Sequence, residues 1–426
     1  MATPRAGGIG PSSGCEWAQV HLLTCQARLQ NIAQWTPAAP RRRRRSPSFD
    51  GDFRLEDLFQ QHIESEEEDV DDDDEMVDIE PLLYDEKKEA AWVAEKAEAL
   101  KRAAEEKARE AEEKKRAAEE KAREAERRER SRKKHDAVIK SIRRYDPKAK
   151  CLVWTRFPFE DFSSFDLDEE SAVPSMRHTN KTYQTECARY CSANILSVKV
   201  ISSDVGFPIH VYGTVIARDS LDKKCVYIFQ CHRRNSQLIM SEDESLILTG
   251  PARGLLLIDF IFLETDLKIK GERGQDKQLS KGLLQIDGRR LTWENIEAVT
   301  CASRLSTVEV KYAVVKDAVE ATVEIQVPHG NFYGEITAHT TSVLHRIVLY
   351  DSKAVGAATS GGIQLWRRTI AVCLNEKLIF TIDTEASNDI QIIHFSPSLN
   401  GASQHVIYCG AIKLCLTVTW SVIDYV

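Results

Sequence analysis

A mostly β protein, an antiparallel sandwich in two related halves preceded by disordered segments and one long charged α-helix, is what this sequence predicts. Three observations carry that expectation. From about residue 195 onward, short apolar runs with period-two alternation recur between polar turn signals, and no helical stretch of useful length separates them. A segment near Val211 is echoed 121 residues later, the length of one sandwich domain. From residue 86 to residue 142 the chain is rich in Ala, Glu, Lys and Arg and contains neither Gly nor Pro.

The first 85 residues read as disordered, basic and then acidic. Arg5, Arg28 and the run Arg41 to Arg45 meet only one acid, Glu16, before Asp50. An acid-poor, Arg-bearing start resembles an organelle transit peptide, chloroplast included, whereas "RRRRRSPS" resembles a nuclear import signal beside a phosphorylatable Ser-Pro; a basic tail without an address is the third reading. The expected location is intracellular, in cytoplasm or nucleus. Residues 64–75, "ESEEEDVDDDDE", are nearly all carboxylate and repel one another too strongly to fold alone.

The helix is expected over 86–142. "KRAAEEKAREAEE" from Lys101 returns as "KRAAEEKAREAER" from Lys115, a repeat of two heptads. Glu105 and Arg109, Glu110 and Lys114, Glu112 and Arg116, and Glu119 and Arg123 stand at i,i+4 with Glu first, the better orientation. Alanines 104, 108, 111, 118, 122 and 125 are the only apolar seam here, too thin for a firm dimer, so a solvated single helix about 80 Å long is expected over a coiled coil.

The folded part is expected over 145–426. Trp154, Phe157, Phe159, Phe162 and Phe165 form a sticky lead-in that should pack on the strands C-terminal to it; Glu160, Asp161, Asp166 and Asp168 among them argue against a base-stacking groove. Strands are expected at 195–201, 209–218, 225–231, 255–269, 308–314, 321–327, 334–338, 345–350, 362–368, 378–384, 391–395 and 411–422. "VYGTVIARDSLDKKCVYIF" at Val211 and "FYGEITAHTTSVLHRIVLY" at Phe332 align without a gap, giving halves of about 195–300 and 301–426.

Chemistry is scarce. "GPARGLL" at Gly250 has the wrong spacing for a phosphate loop, lacks its Lys and runs on into a strand, so it turns the chain, with Arg253 orienting the turn. Arg218, Asp219 and Asp222 border a strand and a loop and are, with Arg253, the ligand or structural candidates. Asp219 and Asp222 suggest a calcium-dependent membrane sandwich, but calcium wants six to eight oxygens and the matching loop at 340–344 holds no acid. Ser360 in "AATSGG" lacks the first Gly of a nucleophile elbow. Cys187 and Cys191 with His178 upstream lack a second ligand pair at zinc spacing. No metal, cofactor or catalytic residue is therefore assigned. The eleven cysteines read as reduced and mostly buried, no run of about 18 apolar residues spans a membrane, and the Asn180 sequon has no glycosylation context. The net charge of −8 disfavours nucleic acid as a partner of the core and leaves that role to Arg41 to Arg45.

"FDLDEES", "NILSVKVISSDVGFPIHVYGTVIARDSLD", "SEDESLILTGPARG", "DLKIKG", "EATVEIQV" and "LTVTWSVID" together resemble a plant domain family of unknown function, abundant in cereals. The resemblance spans about 145–426. Some members of that family stand behind an RNA N-glycosidase of the ribosome-inactivating type, which implies a stress or defence setting. Here the acidic block and charged helix stand in the glycosidase's place, and Glu264 and Arg253 sit in no glycosidase motif. The expected function is a non-catalytic module for a protein partner; the alternatives are an enzyme related to those glycosidases or a calcium and phospholipid-binding sandwich.

Overall fold

The computed structural model describes residues 85–147, 150–181, 189–289, 295–359, 361–385 and 390–425. The basic and acidic stretches, Cys187 and Ser360 lie outside the described residues. Two compact units divide the chain, Met1–Lys121 and Ala122–Val426. The described part of the first unit is the leading portion of helix α1 (Glu86–Ile142), which has the bounds its composition predicts. Asp85 caps it, its Oδ1 accepting from the Lys87 and Lys88 amides at 3.1 and 3.4 Å. Of the expected i,i+4 pairs Glu110–Lys114 forms at 3.7 Å, and Glu98–Arg102 at 3.3 Å joins it. These pairs are exposed, so each supports the helix only locally.

In the second unit the last turns of α1 become amphipathic. Ile142 is buried with Phe157, Phe162 and Leu167, and Val138, Ile139, Trp154, Phe165 and Phe262 pack around them. The aromatic lead-in thus docks on the first of the β domains, through Phe262. A small antiparallel hairpin, β1 (Arg143–Asp146) and β2 (Cys151–Trp154), links the helix to that cluster.

The rest is mostly β and antiparallel. A first sandwich is built from β3 (Cys191–Ser203), β4 (Ile209–Arg218), β5 (Val226–Cys231), β6 (Gln237–Ile239), β7 (Leu256–Leu257), β8 (Phe260–Ile269), β9 (Lys277–Asp287), β10 (Ile296–Ala302) and β11 (Ser306–Val315). Its sheets run β10-β11-β3-β7 and β5-β4-β8-β9, with β6 beside β4. Their inward residues, among them Val198, Val211, Ile228, Leu263 and Val310, make one core.

A second sandwich is built from β12 (Ala318–His329), β13 (Gly334–Thr340), β14 (Ile347–Asp351), a four-residue helix α2 (Ser352–Val355), β15 (Gly361–Gly362), β16 (Thr369–Cys373), β17 (Leu378–Thr384), β18 (Ile390–Phe395), β19 (Asn400–Cys409) and β20 (Ile412–Val422). Its sheets run β15-β12-β20-β19, with β16 also on β12, and β14-β13-β17-β18. Val323, Ile336, Phe380, Leu416 and Trp420 lie in its core. The two topologies match over seven strands each: β5-β4-β8-β9 corresponds to β14-β13-β17-β18, and β10-β11-β3 to β19-β20-β12. Thr300 lies inside β10, which pairs with β11, and the change of core falls at the turn between β11 and β12.

The sandwiches share a wall within this unit. Asn194 Nδ2 donates to the Ala371 carbonyl at 2.7 Å while the Ala371 amide donates to Asn194 Oδ1 at 2.9 Å. Leu256, Val315, Ala318, Ala371 and Ile423 fill the apolar side of the joint.

Besides the short β1, β2 and β6, the strands β9, β10 and β19 escape the sequence pattern, and these last three are sheet edges. An edge strand buries little of its outer face and carries polar residues there, so the alternation fades. The expected strand at 255–269 breaks into β7 and β8, and most of 362–368 is loop, with the strand beginning at Thr369.

Candidate functional site

All four sequence candidates converge at the turn between β4 and β5, and all four are buried or partly buried. Arg218, the last residue of β4, points inward and donates from Nε to Glu264 Oε1 at 2.6 Å and from Nη2 to Oε2 at 3.2 Å. It also donates to the Lys223 and Leu167 carbonyls at 2.9 and 2.5 Å and to Cys225 Sγ at 3.4 Å. Glu264 is on β8, one strand over, and also accepts from Arg156 Nε and the Phe157 amide, both at 2.9 Å. Burial pushes Glu264 upward, but the hydrogen bonds and charge of Arg218, with Arg156 and the Phe157 amide, more than offset it and hold the carboxyl below its ordinary range.

The second pair is Asp219 and Arg253. Arg253 Nη1 donates to Asp219 Oδ2 at 2.5 Å and Nη2 to Oδ1 at 3.1 Å, a fork that fits a carboxylate. The Leu256 amide donates to Asp219 Oδ2 at 2.8 Å, which fixes the start of β7. Asp222 stands on the other side, with Oδ1 3.3 Å from Arg253 Nη2 and Oδ2 accepting from Ser171 Oγ at 2.6 Å. Burial pulls the Arg253 guanidinium down, and the hydrogen bonds and charge of Asp219 more than compensate, leaving it above its usual value.

Glu320 on β12 closes the arrangement from the second sandwich. Its Oε2 accepts from the Gly254 amide at 2.6 Å and its Oε1 from the Met176 amide at 2.7 Å. Burial raises its carboxyl above the ordinary range despite those donors. The cluster therefore ties together the lead-in segment, β4, the loop after Gly250, β8 and β12. Beside it lies a cavity of about 370 Å³ whose polar lining includes Ser171, Tyr227, Gln230 and Thr249.

The other sequence candidates fall elsewhere. His178 is buried, with Arg177 Nε donating to its Nε2 at 2.9 Å, and burial holds it below its ordinary value. Glu264 and Arg253 belong to separate ion pairs. Cys225, Cys301 and Cys409 are buried and five other described cysteines are half-buried, all as free thiols. Glu320, Arg156 and Ser171 do not stand out in the sequence. For Glu320 a signal exists: an acid inside the apolar run "AVEATV" has to find donors if that run is a central strand.

Residues 192–418 match the family DUF6598, a domain of unknown function. The chain belongs to that family. The DUF6598 domain thus takes in nearly all of both sandwiches, from the start of β3 into β20. No curated protein matches the chain. Among solved structures it is similar to the C2A and C2B domains of Extended-Synaptotagmin 2, at 9% identity and a TM-score of 0.20, over 60% of this chain and 100% of that one. It is also similar to human GIVD cytosolic phospholipase A2, at 7% identity and a TM-score of 0.18, over 55% of this chain and 32% of that one. The chain thus spans about a third of the phospholipase, and values of this size transfer no activity or ligand. Among the described residues no helix is long and apolar enough to cross a membrane.

Proposed function

We propose that the two sandwiches form a non-catalytic binding module for a protein partner, in two halves that share the wall around Asn194 and Ala371. The observation that supports this most is the state of Asp219. Both of its oxygens are taken by the Arg253 fork and by backbone amides, in a site almost closed to solvent. Residues of the right type for acid-base or ligand chemistry are thereby committed to holding five chain segments together. The plant and defence setting implied by the family resemblance, and an intracellular location, belong to this reading.

A calcium and phospholipid-binding sandwich is the second reading, because Asp219 and Asp222 share a loop. The guanidinium of Arg253 sits between those two carboxylates and supplies the positive charge that a cation would bring. An N-glycosidase needs an acid and an arginine poised on one bond, whereas Glu264 and Arg253 are each held by other partners.

The test uses the full chain. Sedimentation with anionic phospholipid vesicles is expected to be the same with calcium and with chelator, and incubation with intact ribosomes is expected to give no aniline-sensitive cleavage of the large rRNA. Calcium-dependent sedimentation that Asp222→Asn abolishes would establish the second reading in place of the first. A diagnostic rRNA fragment lost on Glu264→Gln, in a variant shown by circular dichroism to be folded, would make the protein an enzyme.

A further inference from the structure

Among the described residues, Arg367 is a buried arginine whose charge is left open. It lies in the loop between β15 and β16, is 3% exposed, and meets the first sandwich by donating from Nη1 to the Ile195 carbonyl at 2.7 Å. Its Nε and Nη2 are buried and have no hydrogen-bond partner among the described residues. No described carboxylate offsets it, and burial alone draws the guanidinium down to about 10, so it remains charged at neutral pH. A lone buried charge is costly and is normally paired.

The rest of the molecule shows what that edge of an arginine does. Nε and Nη2 lie side by side, and in three other arginines of this protein they are the pair that grips a carboxylate, whereas Arg253 uses Nη1 and Nη2. Arg218 holds Glu264 with them at 2.6 and 3.2 Å, Arg233 holds Asp276 at 2.8 and 3.0 Å, and Arg289 holds Asp287 at 3.1 and 3.2 Å. In Arg367 the same edge is presented without its carboxylate. The third nitrogen meanwhile is anchored on β3, which fixes the direction in which the edge faces.

The surroundings are positive. His345 hydrogen-bonds the neighbouring Leu196 backbone, and burial first, then the charges of Lys311, Lys199 and Arg367, disfavour its proton. Glu309, opposite Lys199 in the register of β11 and β3, stands 3.7 Å from Lys311 Nζ. Two groups of the second sandwich thus meet adjacent residues of β3, one a permanent cation and one able to become one.

We propose that the Nε and Nη2 edge of Arg367 receives a small oxyanion presenting two oxygens side by side, a phosphate or a carboxylate, where the loop 363–368 meets β3. The anion accepts two parallel charge-assisted hydrogen bonds, and Lys199 and Lys311 add field. Because the site is enclosed, the ligand enters when the loop lifts from β3 and stays bound as it closes. Occupancy joins the two sandwiches more firmly, since a ligand that binds only the folded state stabilises it.

Equilibrium dialysis of the full chain against radiolabelled inorganic phosphate, and separately against radiolabelled acetate, at constant ionic strength in chloride, tests this. Saturable binding of one anion per chain is expected in at least one arm, and the arm that binds tells phosphoryl from carboxylate chemistry. Arg367→Met is expected to abolish it, and Arg367→Lys to weaken it about tenfold or more, because an ammonium cannot present the fork. Absence of saturable binding in both arms with the unmodified chain overturns the proposal whether or not the variants fold. Binding that persists in a folded Arg367→Met, checked by circular dichroism, overturns it as well.

Discussion

Gly213 and Gly334, 121 residues apart, occupy the same position in the two sandwiches. A Cβ on Gly213 would lie 2.1 Å from the Asp266 carbonyl oxygen on β8, and one on Gly334 would lie 2.0 Å from the Asp383 carbonyl oxygen on β17. Both have positive φ, +124° and +154°, a region that only glycine enters freely. Each sits one strand from its sheet's edge and lets the neighbouring strand close in. The faint sequence repeat around Tyr212-Gly213 and Tyr333-Gly334 therefore records a shared backbone requirement.

The first prediction rests on that geometry. Gly213→Ala and Gly334→Ala are each expected to cost about 3 kcal/mol or more in urea unfolding, since a backbone carbonyl cannot move aside as a side chain can. Gly206→Ala, at φ +73° with nothing within 4 Å, is expected to cost about 1–2 kcal/mol. Equal costs at all three sites would show that crowding plays no part.

The buried pairs give the second. Glu264→Gln leaves Arg218 inside with a weakened partner and takes a carboxylate from Arg156, so a loss of about 3–5 kcal/mol is expected. Adding Arg218→Met should recover part of it, because Arg156 keeps Asp168 at 2.7 Å and no buried charge is then left alone. A double variant no better than Glu264→Gln in thermal melts would place the value of Glu264 outside its pairing with Arg218.

Much of the fold is legible in the sequence and little of the cluster is. Val198, Val310 and Leu416 alternate with polar neighbours because one face of each strand is covered, and α1 carries its own helix-forming composition, so both kinds of element show in a short window. β9, β10 and β19 lie at edges and carry no such contrast. Arg218, Asp219, Asp222 and Arg253 stand out as charges beside apolar runs, yet their partners do not lie nearby in sequence. Glu264 is 46 residues from Arg218 and Glu320 is 66 from Gly254, distances that only the folded register closes. Arg367 reads as an ordinary charge at the end of an expected strand; its burial arises from a second domain packed against the loop.

The third prediction concerns acid. Burial first, then Lys311, holds His345 below its ordinary value of 6.5, so the folded state binds its proton less readily than the unfolded state does. The contribution of His345 is therefore fully present above about pH 6.5 and is lost as pH falls from there through the lowered folded value. Glu320, raised by burial, works in the opposite sense, so the comparison must be with a variant. His345→Gln is expected to flatten the fall in thermal midpoint between pH 7 and pH 5 relative to the unmodified chain, as a neutral residue cannot take up the proton. Parallel curves would exclude His345 as a source of acid sensitivity.

The last prediction separates the docked helix end from the sandwiches. Phe162 is fully buried in the cluster with Ile142, Phe157 and Leu167, a core distinct from those inside the sandwiches. His135 stacks on its ring with centroids 5.5 Å apart, and the Phe162 amide donates to His135 Nδ1 at 3.2 Å, so helix and lead-in segment hold each other at one residue. Phe162→Ala removes that plug, at a local cost of about 3–5 kcal/mol. Hydrogen exchange should then rise in the last turns of α1 and around Thr155, whose amide donates to the Ile142 carbonyl at 2.8 Å, while β12, β17 and β20 keep their protection. The reason is that the lost contacts lie on the outer face of β8 at Phe262, and the second core shares none of them. If exchange instead rose equally in β17 and β20, the lead-in segment would be part of one cooperative unit with both sandwiches, and the helix end would have to be counted as a structural element of the whole domain.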